Sequence, residues 1–183
     1  MNKTIVRELM VPLDDYAVVP DTATLLDAVK ALDRAQERLP AGRQPHRAVL
    51  VADASGAIVG KIGQLGFLKG LEPKYNMLGD LDTLARAGVS DTLVSTMRDH
   101  FRYFEDTFSD ICQRGAVIPV REVMHAVREG IDESATLSEA LHQLVMWQQL
   151  SLLVTRGGRV TGLIRLSDLF DEVARQMKAQ SRA

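Results

Sequence analysis

Residues 159–169 read RVTGLIRLSDL, and an earlier stretch, residues 57–67, reads AIVGKIGQLGF. In both, an aliphatic-rich start meets a glycine, with isoleucine two residues on and leucine beyond it. The likeness extends upstream. RAVLVADASGAIVGKIG at 47–63 and LSLLVTRGGRVTGLIR at 150–165 each read as two aliphatic strands joined by a tight turn, DASG in one and RGG in the other. The second strand of each pair feeds a helix, LGFLKGL in the first copy and LSDLFDEVARQMKA in the second.

Further upstream, VVPDTATLLDAVKAL at 18–32 matches GIDESATLSEALHQL at 130–144. A short strand opens each, and the hydroxyls of Thr22 and Thr24, or of Ser134 and Thr136, suit helix caps. Leu25, Val29 and Leu32 then fall on one helix side, as do Leu137, Leu141, Leu144 and Val145. The copies open with VRELM at 6–10 and VREVM at 120–124. Each is therefore β-α-β-β-α, too small to be comfortable alone, and the expected class is α+β with two such repeats sharing a core. The expected divisions are a first repeat at 1–71, a helical insert or linker at 72–118, and a second repeat with a C-terminal helix at 119–183.

Two segments lie outside the repeat pattern. RAQERLPAGRQPHR is a proline-punctuated loop carrying Arg34, Arg38, Arg43, His46 and Arg47, a charge cluster suited to a solvated face or to steering an anion. In the insert, NMLGDLDTLARAG suits a helix ending at Gly88, and Ser90 could cap a longer helix over 91–112. Val94, Met97, Phe101, Phe104, Phe108 and Ile111 form an apolar stripe there, which suits packing on the chain's own sheet or on the same helix of a second subunit.

Composition narrows the function. Of 183 residues, 46% are hydrophobic and 25% charged, as in a folded globular chain. A net charge of -2 gives no general attraction to nucleic acid or anionic membrane. Cys112 is the sole cysteine, which excludes an intrachain disulfide and a thiolate zinc cluster; it reads as buried packing. No apolar run of about 20 residues could span a bilayer, no signal peptide opens the chain, and a cytoplasmic location is the expectation. His46, His100, His125 and His142 show no metal-ligand spacing and read as surface or interface residues. Neither a Walker loop nor a dinucleotide fingerprint occurs, and no enzyme activity is expected.

The paired openings, the PDTATLLDA and DESATLSEA helix starts, and the terminal GLIRLSDL together resemble the cystathionine-β-synthase (CBS) domain family, over residues 5–71 and 119–174. The resemblance implies a pseudo-symmetric CBS pair acting as a regulatory module, with adenosine-containing ligands such as AMP, ADP, ATP or S-adenosylmethionine in clefts between the copies. It also implies a homodimer that transmits ligand level to a protein target; no cofactor is required. In the family's nucleotide-binding form, the last strand runs from Gly to a Thr or Ser, and Asp follows three positions later to hold ribose hydroxyls. Here Gly162 and Asp168 fit, while Arg165 occupies the hydroxyl position. In the first copy Gly60 fits, but Gly63 and Gly66 replace the hydroxyl and acidic residues. One site therefore looks altered and the other degraded. The alternative is a ligand-independent dimerisation or scaffold module.

The residues allow the same division. Asp168 can accept from a cis-diol, or simply favour a first helical turn behind an N-cap Ser167. Arg165 suits phosphate or a salt bridge. Gly162 permits close approach of an adenine ring or relieves crowding between strand and helix. Thr136 can cap its helix or stand beside a phosphate at the helix terminus. Met10 and Met124 offer flexible apolar surface to a base or to the core.

Overall fold

The structure, a computed structural model, describes residues 4–40, 42–71, 107–127 and 130–181. A short 3-10 turn at Val6–Glu8 leads to β1 (Val11–Pro12), then β2 (Val18–Pro20), α1 (Leu25–Glu37), β3 (Ala48–Ala52), β4 (Ile58–Gly63) and α2 (Gln64–Leu71). After α3 (Phe108–Ala116) come α4 (Val120–Val123), β5 (His125–Ala126), β6 (Ile131–Asp132), α5 (Leu137–Met146), β7 (Ser151–Arg156), β8 (Arg159–Arg165) and α6 (Leu166–Gln180). Both expected β-α-β-β-α repeats are present.

The capping hydroxyls fix the helix starts. Thr24 and Thr136 each accept from the backbone N–H three residues on, and Asp27 and Glu139 reach back to the cap residue's own N–H. Ser134 caps nothing; its hydroxyl and backbone N–H both donate to Asp132 in the turn before the helix. Gly56 (φ 83°), and Gly157 and Gly158 (φ 55° and 79°), take the left-handed backbone that the two hairpin turns require.

The sheets are not closed by their own openings. β1 joins the second repeat, giving the order β1-β8-β7-β6, and β5 joins the first, giving β2-β3-β4-β5. Val6, Leu9 and Met10 accordingly pack with Ile131, Leu144, Leu152 and Ile164. Val120, Val123 and Met124 pack with Leu25, Val49, Val51 and Ile62. This exchange crosses the boundaries drawn from sequence and ties the repeats together. A third cluster fills the seam between the sheets: Val11, Tyr16, Leu50, Leu153 and Leu163.

The aromatic insert departs from expectation where it is described. Thr107 is an extended N-cap with its own capping box to Asp110, so the helix begins at Phe108 and a continuous 91–112 helix is broken there. Phe108 is 80% exposed, and the Phe101 and Phe104 part of the stripe lies outside the described residues, as do Gly88 and Ser90. Cys112 is exposed rather than buried: α3 turns Gly115 inward, where an added Cβ would run into Leu71, with half-buried Ile111 one turn before it, and Cys112 lies at the solvent edge of that face.

Candidate functional site: two crevices at the seam

Strand β8 runs straight into α6 with Arg165 in the N-cap position, backbone extended and no side-chain cap. Ser167 is thus inside the helix rather than its cap. This junction aims Arg165 back over the first turn, where it meets Asp168. Nε donates to Oδ2 at 2.5 Å and Nη2 to Oδ1 at 2.6 Å, a bidentate pair with both side chains 5% exposed. The remaining nitrogen, Nη1, crosses the seam. It donates to the carbonyls of Gln44 at 2.8 Å and Pro45 at 3.3 Å and lies 3.4 Å from Nδ1 of His46. Arg165 is therefore neither solvated nor free; it clamps the proline loop of the first repeat onto the final helix of the second.

The loop answers in kind. Gln44 Nε2 donates to Asp171 at 3.1 Å. Gln36 of α1 grips the His46 backbone from both sides, accepting from its N–H at 3.0 Å and donating to its carbonyl at 3.1 Å. His46, expected at the surface, is only 1% exposed, and its ring stands edge-on to Tyr16 with centroids 4.5 Å apart. Its place in a loop suggested exposure; the loop's contacts with α1 and Arg165 bury it. Burial, and then the Arg165 guanidinium, hold His46 below the ordinary imidazole range. Its Nε2 has no hydrogen-bond partner among the described residues. Burial pushes the Tyr16 hydroxyl up to about 12, with Arg165 opposing and Asp168 reinforcing. Beside Asp168 lies a cavity of about 230 Å³, bounded also by Leu9, Gly42, Arg43 and Glu172.

The other predicted positions separate. Gly162 packs on β1: an added Cβ would overlap the Val11 carbonyl oxygen and sit 3.3 Å from the Met10 sulfur. The crowding at this glycine is with the neighbouring strand β1, where the expectation had a helix. Met124 faces Gly60 instead, on the first-repeat sheet, so the methionine beside Gly162 is Met10. The exchanged openings are the reason. Thr136 is occupied as the α5 cap.

The first-repeat crevice is built differently. Nothing lies within 4 Å of a Cβ placed on Gly63, and one on Gly66 would be 3.3 Å from His125 Nε2. Lys61 crosses the seam here, donating to the Ser151 carbonyl and hydroxyl, each at 3.0 Å. Burial lowers its pKa, and among the described residues no carboxylate pairs with it. Leu50, Lys61 and His125 form a cross-strand row on one sheet face. The equivalent row in the second sheet is Leu153, Leu163 and Val11.

Sequence reasoning missed Tyr16, Gln44, Lys61 and Ser151, and misplaced His46. Aligning the repeats would have exposed Lys61, which stands where the other copy has Leu163. Nothing local marks Tyr16.

Residues 120–175 match the family described as CBS domain. The fold is that of a tandem CBS pair. Solved structures of the same fold include the CBS-pair protein CBSX2 from Arabidopsis thaliana, at TM-score 0.58 and 16% identity, covering 97% of this chain and 99% of that one. A structure of CBSX2 in complex with AMP aligns at TM-score 0.58 and 15% identity over 94% and 97% of the chains. A putative acetoin utilization protein from Vibrio cholerae aligns at TM-score 0.59 and 16% identity over 100% and 98%. No curated protein matches. Among the described residues, no grouping of His, Cys, Asp and Glu could hold a metal ion, and no helix is long and apolar enough to cross a membrane.

Proposed function

We propose that this CBS pair is a regulatory sensor that binds an adenosine-containing nucleotide in the crevice of the second repeat and transmits its level to a protein target. The observation carrying this reading is Asp168: a buried carboxylate at the start of the final helix, lining a crevice whose opposite wall is Gly42, Arg43 and Gln44 of the other repeat. A carboxylate so placed suits a cis-diol, one oxygen to each hydroxyl, and Arg43 and Arg175 beside it suit a phosphate. The AMP complex of CBSX2 supports the choice of ligand class. Isothermal titration against AMP, ADP, ATP and S-adenosylmethionine tests it. Heat that disappears in Asp168→Asn is the expected result; no heat at millimolar ligand removes the proposal.

A ligand-independent dimerisation module is the second reading, favoured by apolar side chains left outside on both helix pairs. Leu65 and Leu68 of α2, and Leu141, Val145 and Phe170 of α5 and α6, are 42–68% exposed. Equivalent faces on the two repeats suit a second copy of the chain. Sedimentation with and without nucleotide separates the readings: a dimer indifferent to ligand favours this one.

A further inference from the structure

We infer that Arg165 gates the second-repeat crevice, admitting only a ligand that brings its own negative charge, and that entry releases loop 42–46. This rests on the adenosyl reading for the ligand's identity but not for the gate. Both Asp168 oxygens are taken by Arg165. A diol reaches them only by displacing the guanidinium, and a displaced guanidinium at 4% exposure requires another anion. A phosphate supplies it, in the bidentate geometry that Arg165 already uses. Neutral adenosine supplies none. Bond formation balances: the diol replaces Arg165 on Asp168 while the phosphate replaces Asp168 on Arg165.

Space requires the same event. The cavity beside Asp168, about 230 Å³, falls short of the range of about 300–1,000 Å³ usual for small-molecule sites. Gly42, Arg43 and Gln44 form part of its wall, so the loop must move for a nucleotide to enter. As Nη1 turns away, the Gln44 and Pro45 carbonyls lose their donor. Ligand occupancy is thereby converted into a change in the exposed loop of the opposite repeat, and the apparent affinity is set by how often the clamp is open.

Two measurements on the full chain test the gate. Wild type should bind AMP more tightly than adenosine by on the order of ten- to a hundredfold, the range for a charge-assisted contact. Arg165→Thr should bind adenosine more tightly than wild type does and lose most of that preference. Independently of any ligand, hydrogen exchange in residues 42–47 should rise on the order of tenfold in Arg165→Thr and in Arg165→Met/Asp168→Leu. The double variant leaves no unpaired buried charge and so keeps the fold testable. An unchanged loop in both variants overturns the gate, as does an AMP-to-adenosine ratio unaltered by Arg165→Thr. A loosened loop with no binding of either ligand supports the clamp and overturns the adenosyl reading instead.

Discussion

The two seam crevices occupy equivalent places in a duplicated fold, yet they handle charge in opposite ways. In the second repeat a cation and a carboxylate neutralise each other out of water, and the cation's spare donor reaches the other repeat. In the first repeat Gly63 and Gly66 remove both partners, and the seam-crossing cation is Lys61, held among the described residues by neutral oxygens of Ser151. Duplication sets where crevices form, because strand exchange and sheet pairing are backbone properties. What charge each of them holds depends on a few side chains at the strand ends.

The contrast can be broken most sharply at the ion pair. Asp168→Ala leaves Arg165 buried without a counter-charge and should destabilise the fold by about 3–5 kcal/mol, whereas Arg165→Met/Asp168→Leu should stay within about 1 kcal/mol of wild type. Equilibrium urea unfolding measures both. Equal losses for the single and double variants would mean that the pair is solvated in solution.

The matched glycines give the next largest effect. A Cβ on Gly162 meets the Val11 carbonyl, which the β1-β8 pairing fixes, while one on Gly60 meets the flexible Met124 side chain. Gly162→Ala should therefore lose about 2–3 kcal/mol and Gly60→Ala about 1 kcal/mol or less. The same unfolding experiment ranks them, and the reverse order would show that β1 yields more readily than the methionine.

A smaller, pH-dependent effect distinguishes the clamp. His46 is depressed by burial and by Arg165, against the pull of Asp15 and Asp168, with Tyr16 at the ring's side. The unfolded chain therefore binds the proton first. This stabilisation is complete above about 6.5 and is lost as pH falls through that value toward the lower folded one. Melting temperature should drop over that window, and His46→Gln should flatten the slope. The smallest effect is expected at Lys61. Lys61→Leu copies the other sheet's row and removes a desolvated ammonium, so stability should rise by up to about 1 kcal/mol. A loss of that size would show that the Ser151 contacts outweigh the desolvation.

Much of the fold was legible because it rests on local chemistry. Thr24 with Asp27, and Thr136 with Glu139, announce helix starts three residues apart in sequence, and the glycine turns announce the hairpins. The site was half legible. Arg165 and Asp168 were picked out together from one motif, and they do meet; Gly162 and Ser167 flank them. Met10 and Met124 read alike, and nothing in the two openings says which sheet each will join; the structure sets Met10 beside Gly162 and Met124 beside Gly60. His46 and Tyr16 come from separate turns of the first repeat, and only the seam brings them within 4.5 Å, ring to ring.

Sequence by itself determined the repeats, their α+β order and the residues that cap and turn them, since each depends on neighbours a few positions apart. Tertiary structure alone decided that the openings change sheets, and that Arg165 spends its fork on Asp168 and a distant loop. Those outcomes depend on which surfaces are left to be buried once the elements exist. A charged side chain far from water takes the partner that packing sets beside it, and no local pattern encodes that choice.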